Sequence, residues 1–484
     1  MELPEPDACY QALLSHDCRF DGRLFVAVTS TGIYCRPVCR VRPPRRENCR
    51  FFPSAAAAEA AGFRPCLRCC PEHAPGRAPV DAASMIACAA AEMIESGLQQ
   101  DLDAAALAMR IGVSERHLRR VFAAEFGVSP AAYLASRRLQ LGRRLLRESA
   151  MSVLDVALTT GFRSLRTFNV RYRSAYGEAP RSARGARRAV AEATLDLPLA
   201  YRPPLDWEAM LAFLGGRAIP GVELVSATGT YRRTVRMTTG ASELLGWVEV
   251  SKSVRGDALV ARISASLARV VPQLTAGLRR LFDLSCDPAQ VNTVLGVLAQ
   301  RRPGLRVPGA LDGFEMAVRA IIGQQVSVAA ARTLAGRFAA RFGSPVDTPW
   351  PELSLCFPTP VEIAASSSAA IGELGIFGSR AGAIIALAAA IAEQGLRLSP
   401  RANVADTRAS LLSLPGIGPW TADYIAMRAL SWPDAFPEGD AGVHRALGVA
   451  NRARVRAIMS RWEPWRAYAV MHLWNGADWH DDRA

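Results

Sequence analysis

The sequence predicts a multidomain α+β protein in four parts: a small cysteine-rich zinc domain, an all-α domain, a small α+β domain and an all-α C-terminal domain. Three observations lead there. At about 150 residues per domain, 484 residues exceed what one hydrophobic core organises. Eight of the eleven cysteines lie in the first 70 residues, whereas all nine tryptophans lie beyond position 200, so the two ends differ in composition. The apolar spacing also changes along the chain, from three-to-four, to alternation, and back to helical runs.

Half the residues are hydrophobic and 21% are charged, which excludes collagenous and wholly disordered chains. The longest clean apolar stretch, Ala383–Ala392, falls short of the roughly 18 residues a membrane span needs. The N-terminus has no basic region followed by an apolar one, so a soluble cytoplasmic chain without a membrane partner is expected. A formal charge of +14 favours a polyanionic partner, with nucleic acid first among candidates. Every basic residue is Arg except Lys252, so chemistry that needs a lysine amine has a single donor.

Residues 1–76 carry short strand-like runs such as RLFVAVTSTGIYC and end in the loop-like PEHAPGRAP. Residues 80–184 show helical spacing, as in LAMRIGVSERHLRRVFAAEF, and the small basic stretch at 185–194 reads as a linker. Over 195–305, VELVSATG, TYRRTVRM, LGWVEVS and ALVARIS alternate as strands do, before a helical run from Leu267 to Leu281. Residues 306–484 are helical runs broken by Gly and Pro.

Cys35, Cys39, Cys66 and Cys69 form C-x3-C and C-x2-C pairs separated by 26 residues, a spacing that lets four thiolates converge on one tetrahedral zinc ion. Spacing alone is compatible with a purely structural zinc. Cys9, Cys18, Cys49 and Cys70 do not have ligand spacing and read as small buried residues. The segments TGIYCRPVCRVRPPRRENCRFF and AGFRPCLRCCPE resemble the methyl-phosphotriester repair domain of the Ada family, over nearly all of residues 5–75. That resemblance implies that Cys35 is both a metal ligand and the acceptor of a methyl group from DNA. Zinc keeps sulfur as the nucleophilic thiolate, and methylation would change the site from minus two to minus one, easing its approach to the DNA backbone. Arg36, Arg40 and Arg46, with Arg42 and Arg45, are candidate phosphate contacts or a solvated basic loop.

LDAAALAMRIGVSERHLRRVFAAEFG and SVLDVALTTGFRSLRTFNVRYRSAYG share one plan: an apolar helix, a turn at Gly112 or Gly161, and a second helix that begins with polar and basic residues. This is the helix-turn-helix layout, whose second helix enters the major groove. Two copies about fifty residues apart resemble the AraC-type DNA-binding domain. The exposed candidates are Ser114, Arg116, His117 and Arg120 in the first unit and Arg163, Ser164, Arg166 and Asn169 in the second. His117 reads equally as an ordinary surface residue. RNA polymerase is the partner such a regulator implies.

LPGIGPWTA, from Leu414 to Ala422, sits between helical runs, and its glycines let backbone N–H groups face a phosphate where the next helix begins. Asp440 follows in DAFPEGDAGVHRAL, and together these resemble the helix-hairpin-helix glycosylase superfamily, with Asp440 at the catalytic position. Asp434 is the competing carboxylate and reads as a cap. PPLDWEAMLAFL, RLFDLSCDP, FEMAVRAIIGQQVSVA and RWEPWRAYAVMHLW extend the resemblance, to the AlkA family of 3-methyladenine DNA glycosylases over about 195–480. It implies an alkylated base flipped from double-stranded DNA into a pocket of Trp420, Tyr424 and Trp474, with Phe213 a further candidate. Leu414, Gly416, Gly418 and Thr421 would hold the DNA backbone. Gln325 stands where the family places an intercalating leucine, so the wedge is polar here. No lysine follows position 252, which removes Schiff-base lyase chemistry and leaves simple hydrolysis of the glycosidic bond. The competing reading is a regulator whose C-terminal half only binds lesions.

Overall fold

The computed structural model describes residues 5–16, 24–39, 41–53, 55–69, 71, 82–96, 103–148, 151–183, 194–239, 242–254, 256–400 and 402–476. Arg40, Cys18, Cys70 and residues 184–193 lie outside them. By contacts the chain forms two compact units, Met1–Leu141 and Gly142–Ala484.

The first unit opens with helix α1 (Pro6–Leu14) and a small four-stranded sheet of β1 (Phe25–Val28), β2 (Ile33–Cys35), β3 (Cys49–Phe52) and β4 (Arg64–Pro65), with helix α2 (Ala55–Ala60) between β3 and β4. The strand order is β3-β1-β2-β4. β1 and β2 form a hairpin whose turn uses left-handed Gly32. Successive β1 residues face opposite sides of the sheet. Val26 packs with Cys9, Leu13 and Leu24, and Phe25 and Ala27 pack with Tyr34 and Ala58.

Helices α3 (Ala82–Ser96), α4 (Ala104–Ile111), α5 (Glu115–Phe126) and α6 (Pro130–Glu148) follow. Leu107, Leu118, Phe122 and Leu134 close a core against Ala87, Ala90 and Ile94 of α3. α4 ends at left-handed Gly112, and α5 starts at Ser114, whose side chain accepts from the His117 N–H. This local chemistry makes the sharp turn of the first helix-turn-helix.

The division between the units falls inside α6. In the second unit, Gly142 of α6 lies so close to Phe168 that an added Cβ would sit 2.9 Å from the ring. α7 (Val153–Thr159) and α8 (Leu165–Tyr176), separated by left-handed Gly161, form the second helix-turn-helix. α7 also touches the Ala265–Val270 turn, which attaches this motif to the second unit.

A five-stranded antiparallel sheet follows: β5 (Thr194–Ala200), β6 (Glu223–Val225), β7 (Tyr231–Thr239), β8 (Ser242–Lys252) and β9 (Ala258–Ser264), in the order β5-β9-β8-β7-β6. Thr194, expected in the linker, is the first residue of β5. Pro198 is tolerated there because β5 is an edge strand. Helix α9 (Trp207–Arg217) lies between β5 and β6, and α10 (Val271–Leu281) and α11 (Pro288–Leu295) follow the sheet.

The C-terminal helices are α12 (Gly313–Ile322), α13 (Val328–Phe342), α14 (Pro360–Ala364), α15 (Ser368–Gly372), α16 (Ser379–Ala392), α17 (Val404–Ser413), α18 (Pro419–Arg428), α19 (Ala441–Leu447), α20 (Arg452–Met459) and α21 (Arg466–Trp474). Ile321, Phe338, Ile384, Leu387 and Ile425 close the core of α12, α13, α16 and α18. A buried charge network joins the sheet to these helices. Arg233 on β7 reaches Glu315 at 2.6 Å, and Arg319 reaches Glu223 at 2.8 Å. Asp434 is not a helix cap: both its oxygens accept from Arg466, at 2.9 and 2.8 Å, in a largely buried pair that anchors α21. Among the described residues, no helix is long and apolar enough to cross a membrane.

Candidate functional sites

Cys35 ends β2, and the parallel register of β2 with β4 carries the chain directly to Cys66, whose N–H donates to the Tyr34 carbonyl at 3.0 Å. Cys39 follows Cys35 through a turn closed by its N–H on the Arg36 carbonyl at 3.1 Å. The sulfurs of Cys35, Cys39, Cys66 and Cys69 all lie within 4.8 Å of one another. A tetrahedral zinc with sulfurs at about 2.3 Å separates those sulfurs by about 3.8 Å, so the set fits the ion. Cys39 and Cys69 are at most 1% exposed, whereas Cys35 and Cys66 retain 6% and 8%. Cys9 and Cys49 are buried elsewhere in the small core.

The surrounding arginines divide. Arg36 is enclosed, at 1% exposure, so it does not present its guanidinium to a phosphate as expected. Arg46 pairs with Asp7 at 3.0 Å and lies over the Phe51 ring. Arg42 and Arg45 are exposed. In α5, Arg116 and Arg120 face solvent, while His117 is half-buried with Nδ1 3.0 Å from Arg120 Nη2. Arg163, Arg166 and Asn169 are exposed at the start of α8. Ser114 and Ser164 are exposed as expected and also cap α5 and α8.

A cavity of about 580 Å³ opens in the second unit, lined by residues of α9, α12, α13, α18, α19 and α21, with Asp440 in its wall. Asp440 is the N-cap of α19 and only 9% exposed. Its Oδ1 accepts from the Val443 N–H at 2.9 Å and the Trp474 indole at 2.8 Å, and its Oδ2 accepts from the Trp420 indole at 3.0 Å. Two helices thus hold the carboxylate in one orientation through their tryptophans.

Trp420 stacks on Tyr424, one helical turn later, with ring centres 5.2 Å apart and planes 10° from parallel. The Tyr424 hydroxyl accepts from Arg428 at 2.8 Å. Burial raises the Tyr424 pKa, but the guanidiniums of Arg428, Arg217 and Arg319 outweigh it and hold the phenol below its ordinary range. Phe213 does not line the cavity. It stacks behind Trp474 at 6.3 Å and 15°, with Arg217 and Arg428 over its ring. Phe213 therefore supports the pocket instead of forming its surface.

The hairpin turn between α17 and α18 uses left-handed Gly416, with Gly416 and Gly418 exposed, Leu414 half-buried and Ile417 in the core. Thr421, expected to contact DNA, is 3% exposed, and its hydroxyl accepts from Gln324 Nε2 at 2.9 Å. Gln324 also donates to the Gly416 carbonyl at 3.0 Å. Sequence reasoning passed over Gln324, although it neighbours the singled-out Gln325. Gln325 is exposed, with a φ of 57° that is uncommon for a non-glycine residue. Gly442 was also passed over: a Cβ there would lie 2.9 Å from Trp474 Cδ1 and 3.0 Å from Asp440 Oδ1.

Four family models match the chain: the metal binding domain of Ada at 8–72, a helix-turn-helix domain at 107–186, the AlkA N-terminal domain at 196–312, and the HhH-GPD superfamily of base excision DNA repair proteins at 318–463. The architecture is therefore a zinc-binding module, a helix-turn-helix domain and a base-excision-type helical domain on one chain. A protein of Mycobacterium tuberculosis named as a probable bifunctional transcriptional activator/DNA repair enzyme AlkA is 39% identical, covering 97% of this chain and 96% of the relative. The chain belongs to that family of bifunctional transcriptional activator/DNA repair enzymes. The DNA-3-methyladenine glycosylase 2 of Escherichia coli is 40% identical over 59% of this chain and 99% of its own length. A solved 3-methyladenine DNA glycosylase from Archaeoglobus fulgidus shares the fold, with a TM-score of 0.50 at 23% identity over 58% of this chain and 97% of that one.

Proposed function

We propose that the second unit hydrolyses the N-glycosidic bond of alkylated purines, 3-methyladenine first, in double-stranded DNA and leaves an abasic site. The observation that carries this reading is Asp440, nearly enclosed and oriented by two indoles and a backbone N–H in the wall of a cavity with ample room for a base. As the bond from C1′ to the purine lengthens, positive charge grows on the sugar, and a pre-oriented carboxylate stabilises it without reorganising. The methylated base departs as a neutral molecule with the bonding electron pair, and water adds to C1′ of the sugar cation, giving up one proton to solvent. N3- and N7-alkylated purines are cationic, so they are good leaving groups and are attracted to aromatic faces such as Trp420, Tyr424 and Trp474 by roughly 0.5–2 kcal/mol. A carboxylate poised in this way argues against a lesion-binding role alone. Release of 3-methyladenine by wild type and Asp440→Asn tests it: loss of about a thousandfold is expected, and equal release by both refutes the assignment.

The same reading gives the first unit a stoichiometric methyl transfer. Cys35, Cys39, Cys66 and Cys69 would hold zinc, which keeps the bound sulfurs as thiolates. The Cys35 sulfur attacks the methyl carbon of a phosphotriester, a C–S bond forms as the C–O bond breaks, and the phosphodiester anion leaves. The exposure remaining at Cys35 suits an acceptor. Mass spectrometry after exposure to methylated DNA should show the mass of one added methylene on the peptide bearing Cys35. A methyl located on another cysteine, or none, overturns this part. Arg116, Arg120, Arg163, Arg166 and Asn169 would then read promoter DNA, with RNA polymerase as the partner in activation.

A further inference from the structure

Resting on the reading of the second unit as a glycosylase, we propose that its helix-turn-helix is a repair element as well as a promoter reader: α8 grips the same duplex whose damaged base enters the Asp440 cavity. One helix-turn-helix family model covers residues 107–186, yet the contacts divide the two motifs. α4 and α5 belong to the first unit, whereas α7 and α8 belong to the unit that holds the cavity.

The motif is joined to the repair fold in two ways. Its own core of Val156, Ala157, Phe162, Phe168 and Tyr172 is buried, and α7 touches the Ala265–Val270 turn, which itself packs on β7, β8 and β9. The sheet is tied in its turn to the cavity helices and the segment between them. Thr234 on β7 donates to the Leu355 carbonyl at 2.6 Å, and Arg236 donates to the Ser344 hydroxyl at 2.6 Å. Arg319, which lines the cavity, bonds Glu223 of β6 at 2.8 Å. The chain supplies the other connection. Residues 184–193 join Ala183 to β5, and ten residues reach at most about 35 Å when fully extended.

The face that α8 leaves uncovered suits a duplex. Arg166, Asn169, Val170 and Arg173 recur at helical spacing and are all exposed, with Arg163 just ahead of them, while Phe168 and Tyr172 turn inward. The three guanidiniums match phosphates or guanine, Asn169 matches a base edge, and Val170, 63% exposed, matches a thymine methyl. Non-specific contacts of this kind have dissociation constants of about 10⁻⁴–10⁻⁶ M, too weak to hold a site alone. Coupled to a second grip on one duplex, they act at an effective concentration of about millimolar, which raises the combined affinity by roughly 10- to 1,000-fold. The repair unit thereby stays on a duplex between encounters with damage.

The test measures kcat/KM for release of 3-methyladenine from duplexes of about one and a half and about four helical turns, the lesion central in each. It compares wild type, Arg163→Ala/Arg166→Ala and the charge-matched control Arg171→Ala/Arg181→Ala, whose arginines are exposed but lie off that face, with melting temperature as a fold check. Wild type and control should gain about tenfold or more on the longer duplex, whereas Arg163→Ala/Arg166→Ala should gain less than about threefold and show a salt slope shallower by about two. A gain by Arg163→Ala/Arg166→Ala within twofold of the wild-type gain overturns the inference, as does an equal drop in the control. Binding to the same two duplexes carrying a stable abasic-site analogue repeats the comparison without catalysis, and there an equal length dependence in wild type and Arg163→Ala/Arg166→Ala refutes the shared grip. If wild type releases no alkylated purine from either duplex, the excision reading fails, while the binding comparison still decides the role of α8.

Discussion

Gly442→Ala separates the stability of α19 from the geometry of the pocket. Gly442 is the second residue of α19, in an ordinary helical position without positive φ, so alanine should raise helix propensity by about 0.8–1 kcal/mol. The same methyl would lie 2.9 Å from Trp474 Cδ1, 3.0 Å from Asp440 Oδ1 and 3.1 Å from Trp474 Nε1. None of these atoms can yield freely. The indole is pinned by its 2.8 Å bond to Asp440 and by its stack on Phe213, and the carboxylate is pinned by α19 itself. The indole must therefore move away from Asp440, which removes a hydrogen bond to a charged group worth about 1.5–3 kcal/mol, or roughly 10- to 150-fold in the excision rate. Single-turnover release of 3-methyladenine and thermal melting, measured on one preparation, should show a marked fall in rate with melting unchanged or raised. A rate within twofold of wild type would refute the claim that the Trp474–Asp440 bond organises the site.

Two further perturbations act at a distance from the pocket. Asp283 is half-buried beside Tyr468, which donates to it at 2.7 Å, and desolvation of its carboxyl pushes it up to about 6. A raised carboxyl pKa means that the folded state holds the proton more tightly, so stability falls as pH rises from about 4 to 6. Asp283→Asn should therefore match wild type near pH 4 and exceed it by about 3 kcal/mol at pH 7, read as the difference between denaturant curves at the two pH values. Stripping zinc from the first unit should unfold the small sheet, which has few apolar residues of its own, while excision by the second unit continues; circular dichroism and base release after chelation check both halves of that statement.

The parts of the sites legible in the sequence were those fixed by local spacing. Two short cysteine pairs can converge on one ion wherever the intervening 26 residues run, and a glycine turn followed by Asp440 keeps its meaning in one dimension. The exposed Ser114 and Ser164 are also helix starts, a second role that residue type alone allowed, because caps and recognition positions favour the same residue types. Arg36, Thr421 and Phe213 were misplaced because residue type does not report burial: each faces inward, through packing between distant segments. Gln324 and Gly442 gave no signal, since their roles depend on the approach of α12 to the hairpin and of α21 to α19.

The cavity presents a further physical problem, because Arg217, Arg319, Arg332, Arg428 and Arg445 all line it around a single carboxylate, although the proposed substrate base is a cation. Four of these arginines are engaged by protein groups. Arg319 is neutralised by Glu223 and Glu315, Arg428 donates to the Pro308 carbonyl and the Tyr424 hydroxyl, and Arg217 and the exposed Arg332 donate to the Phe213 and Ala218 carbonyls. Arg445 is also exposed, and it lies on α19 within two turns of Asp440, where a DNA phosphate would neutralise it. Its charge should therefore act on the backbone of the DNA and not on the flipped base. Arg445→Gln should weaken binding to damaged and undamaged duplex by the same factor and lower the slope of log affinity against log salt by about one. Titrations of both duplexes across a salt series check this, and a loss confined to the damaged duplex would place Arg445 inside the recognition pocket instead.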